Sequence, residues 1–177
     1  MNMGIIKQLF LPNQYVNSIY EIDFDKLKQL NIKGIITDLD NTLVGWDEAQ
    51  PTPKVENWFK TIDEQGFKVT VVSNNNEQRV KSFCQNLKVD YIFKAQKPRG
   101  KALRRATEQM GMQKDEVVVI GDQMLTDVFG GNRHGLYTIM VVPVKNSDGF
   151  ITKFNRLVER RLLKHFKRKG YIKWEES

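Results

Sequence analysis

The sequence predicts an α/β domain of the doubly wound kind: a mainly parallel sheet of about five strands with helices on both faces. Three observations lead there. Apolar, β-branched runs alternate with segments of helical periodicity; the runs are too uniformly apolar for a sheet with one wet face; and several of them end in polar clusters. A chain of 177 residues with 40% hydrophobic composition can bury one substantial core, so a single main unit is expected.

The elements follow in order. The opening "LFLPNQYVNSIYEID" is aromatic-rich and broken by Pro12, and reads as an irregular segment wrapping the domain, with room for one short helix. "DFDKLKQLN" begins with acids and sets Phe24, Leu27 and Leu30 on one helical face. "GIITDLD" is a buried strand. "TPKVENWFKTIDEQG" has a proline at a helix start, Val55, Trp58, Phe59 and Ile62 at helical spacing, and Gly66 at its end. "FKVTVVSNNN" is a strand running into polar residues, "EQRVKSFCQNL" a helix with Val80, Phe83, Cys84 and Leu87 inward, and "VDYIFKA" a short strand. The helix "PRGKALRRATEQMG" is stopped by Gly111, and the strand "DEVVVIGD" comes next. "MLTDVFGGNRHG" is a turn and short helix, with Gly130, Gly131 and Asn132 as its stop, before a last strand, "YTIMVVPV".

The net charge of +7 is unevenly placed. Residues 151–177 carry nine Lys or Arg against three acids, and so hold six of the seven net positive charges. This predicts a nearly neutral body, residues 1–150, and a basic appendage, residues 151–177, suited to an anionic membrane surface, to nucleic acid or to solvent alone. Within the appendage Ile151, Phe154, Leu157, Val158, Leu162 and Phe166 recur at helical spacing among basic residues. That pattern fits an amphipathic helix on an anionic lipid surface, and equally one docked on its own domain. No apolar run approaches the roughly 20 residues of a membrane-spanning helix, and no leader cleavage site is readable, so a cytoplasmic location is expected. The single cysteine, Cys84, excludes an internal disulfide framework and a multi-cysteine zinc site, and reads as a buried helix residue.

In a doubly wound sheet ligands bind beyond the carboxyl ends of the strands. Asp38, Asp40, Ser73, Asn74, Asp122 and the loop holding Lys97 all follow predicted strands, so they are expected on one rim. Asp38, Asp40 and Asp122, with Asp127 one helical turn further on, would repel one another and take up protons unless a cation held them. No histidine or cysteine cluster accompanies them, and all-oxygen ligation suits Mg²⁺. The same parts serve phosphoryl transfer. One carboxylate attacks phosphorus, and the second, two positions away, protonates the leaving oxygen and then activates water. Ser73 or Thr42 hydroxyls and the Lys97 ammonium balance charge on the equatorial oxygens. Taken singly, each feature has a plainer reading: Asp-Asn-Thr as turn chemistry, Ser73-Asn74 as a loop, Lys97 as a solvated lysine beside Arg99, His134 as a packed or solvated side chain.

Together, "DLDNT" (38–42), "VVSNN" (71–75), "KP" (97–98) and "GDQMLTD" (121–127) resemble, in order and spacing, the four motifs of the haloacid dehalogenase superfamily phosphatases, whose domain is Rossmann-like. The resemblance implies Asp38 as nucleophile and Mg²⁺ ligand, and Asp40 as general acid/base that lends its backbone carbonyl to the metal. It places Thr42, Ser73, Asn74 and Lys97 around the phosphoryl group, with Thr42 also orienting backbone and Asn74 ordering its loop. It makes Asp122 the second carboxylate at the metal, with Asp127 ligating through water or fixing the loop. An Asp at position 40, rather than Ser or Thr, implies hydrolysis rather than phosphotransfer.

Family members that act on small metabolites usually carry an inserted cap domain. Here 30 residues separate Thr42 from Ser73 and 22 lie between Asn74 and Lys97, each interval filled by one helix and its strands, so no cap fits. An open rim suits a substrate that is large or sits in a membrane or polymer. "LPNQYV" before the first motif and "KPRG" around the lysine make the chain similar to a capless, bacterial YqeG-type branch, itself similar to the mitochondrial phosphatidylglycerophosphatases. That implies a phospholipid substrate, phosphatidylglycerophosphate, with which the open rim and a basic segment suited to peripheral contact with the inner face of the cell membrane, residues 151–169, are compatible. Two alternatives stay open: a soluble phosphatase acting on a small metabolite, a nucleotide or a nucleic-acid end, and a non-catalytic RNA- or protein-binding module on the same fold.

Overall fold

The runs "GIIT" and "VVVIG" are buried at every position. The structure, a computed structural model that describes residues 3–145 and 160–171, sets them side by side at the centre of one sheet. The strands are β1 (Gln14–Val16), β2 (Gly34–Thr37), β3 (Lys68–Val72), β4 (Asp90–Ile92), β5 (Val117–Gly121) and β6 (Tyr137–Val141). The helices are α1 (Met3–Phe10), α2 (Phe24–Gln29), α3 (Pro53–Glu64), α4 (Glu77–Cys84), α5 (Lys101–Gln109) and α6 (Phe129–Arg133). All strands are parallel, in the order β1-β6-β5-β2-β3-β4, and β2 pairs with β5 from Gly34 opposite Val117 to Thr37 opposite Ile120.

Successive side chains on a strand point to opposite faces, and the core divides accordingly. Ile35, Val71, Val118 and Ile120 pack with Leu27 of α2, Val55, Trp58 and Ile62 of α3, and Val80 and Phe83 of α4. Ile36, Val72, Val117 and Val119 pack on the other face with Ala102, Leu103 and Ala106 of α5. Helix starts are fixed by side-chain caps: Asp23 accepts the Lys26 N–H, Thr52 the Val55 N–H ahead of Pro53, and Asn76 the Arg79 N–H. Cys84 is buried, and burial pushes its thiol up to about 12, so it is inert.

Two expectations change. The sheet has six strands rather than about five, because "QYV" in the opening segment pairs in parallel with β6 at the sheet edge. Three half-buried residues carry neither a helical nor a strand period, so only the partner decides their conformation. Gly130 and Gly131 are not a helix stop: they are buried inside α6. A Cβ on Gly131 would lie 2.5 Å from Thr138 Cγ2, so this glycine lets α6 close on the sheet.

Of the appendage, residues 151–159 and 172–177, with Ile151, Phe154, Leu157 and Val158, lie outside the described residues. Residues 160–168 are helical, with Phe166 buried and Leu162 and Leu163 packed against Met124, Val128 and Met140. This stretch therefore turns its apolar side to the domain and leaves Arg160, Arg161, Lys164, Lys167, Arg168 and Lys169 exposed. Among the described residues no helix is long and apolar enough to cross a membrane.

Candidate active site

Between β2 and β5 the winding of the sheet reverses: the chain runs from β2 outward through β3 and β4, and from β5 outward through β6. A crevice is expected beyond the strand ends at such a point. Asp38 follows β2 there, its N–H donating to the Ile120 carbonyl of β5 at 2.9 Å, and Asp122 follows β5 itself. Asp127 is brought in by the π-helical turn Met124–Val128 and by Gly121, where a Cβ would lie 2.3 Å from the Asp127 Cγ. Carboxylate oxygens of Asp38, Asp122 and Asp127, all buried, lie within 4.8 Å of one another. Lys97 Nζ donates to Asp38 Oδ1 and to Asp127 Oδ1, at 2.7 Å each, from a side chain only 3% exposed.

Three buried carboxylates thus share one ammonium. Burial raises the Asp38 carboxyl to about 6, with Lys97 pulling it back down and Asp127 pushing it up. Asp122 is raised well above the usual carboxylate range, first by burial and then by the charges of Asp38 and Asp127. For Lys97 burial works against the charged form, but Asp127 and Asp38 outweigh it and the ammonium is held protonated. Asp122 Oδ2 is buried without a hydrogen-bond partner, while Oδ1 accepts the Thr42 hydroxyl at 3.2 Å.

The other predicted residues stand around this cluster. Asp40 sits at the rim with its carboxylate outside the trio: Oδ1 accepts from Arg79 Nε at 3.1 Å and Nη2 at 2.9 Å, and Oδ2 accepts from Asn75 Nδ2 at 3.0 Å. Ser73 is buried and its Oγ accepts the Asn75 N–H, which leaves its O–H to donate elsewhere. Both ends of the Asn74 amide engage Lys97 backbone, Oδ1 accepting the N–H at 2.7 Å and Nδ2 donating to the carbonyl at 3.2 Å. Asn74 is therefore a clamp on the lysine loop, and Thr42 an orienter of Asp122.

The sequence signature of the haloacid dehalogenase-like hydrolases matches residues 14–135, which hold all eight predicted site residues. The chain belongs to the haloacid dehalogenase-like hydrolases. Its similarity to "Probable phosphatase YqeG" of Bacillus subtilis (strain 168) is 58% identity over 172 residues, 97% of this chain and all of that protein, and with it the chain is a phosphatase of the family. It is 27% identical over 180 residues to "Phosphatidylglycerophosphate phosphatase 1, chloroplastic/mitochondrial" of Arabidopsis thaliana, covering 93% of this chain and 50% of that one. Among solved structures, 3-deoxy-D-manno-octulosonate 8-phosphate phosphatase of Moraxella catarrhalis, in complex with magnesium, phosphate and KDO, superposes with a TM-score of 0.51 at 14% identity. That match covers 84% of this chain and 99% of the other, and shows a shared fold.

For a hydrolase of this family the donor set fits a divalent metal. Hard carboxylate oxygens only, an unpartnered buried Oδ2 on Asp122 and two carboxyls driven up by burial and by neighbouring carboxylate charge are what a small oxygen-seeking dication would relieve. His134 is not part of this machinery: its Nδ1 is 2.8 Å from the Gly130 carbonyl and its ring packs over Gly100, where a Cβ would lie 1.7 Å from Nε2. Arg79 and Asn75 are the residues the sequence reading missed. One signal was available for Arg79, a cation in the first turn of α4, where the helix dipole disfavours it.

Proposed function

We propose that the protein hydrolyses phosphate monoesters through an aspartyl-phosphate on Asp38, with Mg²⁺ as cofactor and a phospholipid, phosphatidylglycerophosphate, as substrate. The observation that carries the chemistry is the convergence of three buried carboxylates and one ammonium where β2 and β5 end. Asp38, Asp122 and Asp127 would hold Mg²⁺ together with the Asp40 backbone carbonyl, and bound there it supplies charge neutralisation and alignment of a phosphoryl oxygen. The Asp38 carboxylate attacks phosphorus, forming an acyl phosphate as the bond to the leaving oxygen breaks. Asp40 gives that oxygen its proton, then takes one from the water that attacks the phosphoryl group, releasing inorganic phosphate and restoring Asp38. Lys97 and the Ser73 O–H stabilise the charge on the transferring group.

A lipid substrate is supported by what borders the site. Only a loop, α3 and β3 lie between Thr42 and Ser73, so no inserted layer covers the rim there. A groove of about 460 Å³ runs from Thr42 along Tyr20, Val142 and Val144, and Trp46 on the neighbouring loop is 54% exposed. Apolar walls beside a phosphate site suit an amphiphile. Lys94, Arg99, Lys101 and Arg105 line a cavity of about 410 Å³, and residues 160–169 present a basic face. We place the membrane contact on these cations: Phe166, expected as an apolar anchor, is buried in the protein.

The test is phosphate release from phosphatidylglycerophosphate in mixed vesicles, compared with soluble phosphate esters, in Mg²⁺. Faster release from the lipid supports the reading. Hydrolysis of soluble esters alone removes the lipid and leaves the phosphatase; no release from any ester removes the mechanism.

A further inference from the structure

We infer that Arg79 is a positioning residue for the reaction, which with Asn75 fixes the orientation in which Asp40 gives and takes its protons. The inference rests on the role proposed for Asp40.

Two N–H groups of one planar guanidinium converge on Oδ1, at 3.1 and 2.9 Å, while the Asn75 amide takes Oδ2 at 3.0 Å. Turning the carboxylate out of this plane about its Cβ–Cγ bond weakens all three contacts together, and only the equivalent half-turned position restores them. The guanidinium is itself immobilised: its Cζ lies 5.8 Å from the centroid of the Phe83 ring, which is fully buried, and its side chain is 13% exposed. Asn75 is fixed in turn, since its carbonyl oxygen Oδ1 accepts the Asn76 N–H at 2.8 Å and its main-chain carbonyl accepts the Lys94 N–H at 2.9 Å.

Nothing in the local structure calls for an arginine there. A cation in the first turn of α4 opposes the helix dipole, and Nη1 is buried without a hydrogen-bond partner, a local penalty that an apolar side chain would avoid. Asp40 is the one carboxylate with which Arg79 makes an ion pair among the described residues. The pair also keeps the carboxylate of Asp40 apart from the trio around Lys97, so the proton-transfer group and the charge-binding cluster have separate cations. Lysine would keep the charge but not the fork, because one ammonium on a flexible stem cannot supply two N–H groups in a fixed plane.

Steady-state kinetics with p-nitrophenyl phosphate and with phosphatidylglycerophosphate in detergent micelles test the inference on Arg79→Lys, Arg79→Gln and Asp40→Asn. The expected result is a fall in kcat of about 10- to 100-fold with KM within about threefold of wild type. The fall is larger for the lipid, whose alkoxide needs a proton to leave, than for the aryl ester, whose phenolate does not. Asp40→Asn/Arg79→Gln is no slower than Asp40→Asn, since a residue that acts through Asp40 has nothing to act on without it. If the Arg79 variants fail to fold, Asn75→Ala, which removes only the Oδ2 contact, carries the same test with a smaller fall in kcat. A kcat within twofold of wild type, a rise in KM alone, or losses that add in the Asp40→Asn background would overturn the inference. An inactive wild type would instead remove the proposed function, and this inference with it.

Discussion

The two sides of the catalytic rim handle charge in opposite ways. On one side Asp38, Asp122 and Asp127 share a single ammonium, Lys97, in a nearly sealed space. On the other Asp40 has a guanidinium to itself, at a more exposed position. The first side carries more negative charge than its one ammonium neutralises, a surplus that a dication would offset. The second is balanced by the chain alone, as the proton-transfer role proposed for Asp40 needs. Two aspartates that stand two residues apart thus sit in different electrostatic surroundings.

The sharpest break in that comparison comes from neutralising each aspartate. Asp38→Asn should cut phosphate release at least about a thousandfold, as loss of a nucleophile does. Yet without metal the variant should be no less stable at pH 7, because it removes one of three crowded charges; thermal unfolding in chelator reads this. Lys97→Met attacks the same side from the other direction, leaving buried carboxylates without a counter-ion. It should cost about 3–5 kcal/mol in denaturant unfolding without metal, with part recovered on adding Mg²⁺. Asp40→Asn should behave unlike Asp38→Asn, destabilising by about 1–3 kcal/mol because it strands Arg79; the discount reflects the partial exposure of the pair.

A gentler probe is pH. Asp38 has its carboxyl raised in the folded state, from the ordinary 3.8 to about 6, so the folded protein holds a proton that the unfolded chain has already lost in that window. Its contribution to stability is present below 3.8 and is lost as pH rises to about 6. Metal-free protein should therefore lose stability over that interval, and saturating Mg²⁺ should flatten the loss, as followed by urea midpoints. The smallest effect expected is for Thr42→Val, which removes the hydroxyl that orients Asp122 and should weaken divalent binding about tenfold by calorimetric titration.

The metal side of the rim was legible in the sequence because each of its parts follows a strand or stands within a turn of one that does. Asp38, Asp122 and Asp127 needed only the periodicity of the runs before them and the rule that ligands sit beyond strand ends. The Asp40 side was half legible. Arg79 lies in a helix whose inward residues are Val80, Phe83 and Cys84, and its contact with Asp40 spans 39 positions, which no local period reveals. The strand β1 was hidden for a related reason: its three residues pair with a strand that the chain makes last. The basic helix could not be decided because an apolar stripe reads the same against lipid as against Met124, Val128 and Met140.

The most direct test of the central claim, that the surplus of carboxylates is a divalent metal site serving Asp38, is phosphate release titrated with Mg²⁺ in wild type and in Asp122→Asn, with thermal unfolding followed in the same samples. Wild type should be inactive in chelator, gain activity saturably and unfold at higher temperature as Mg²⁺ is added, while Asp122→Asn should show neither response at the same concentrations. Activity that is indifferent to chelator, or an Asp122→Asn variant that responds as wild type does, would contradict the account.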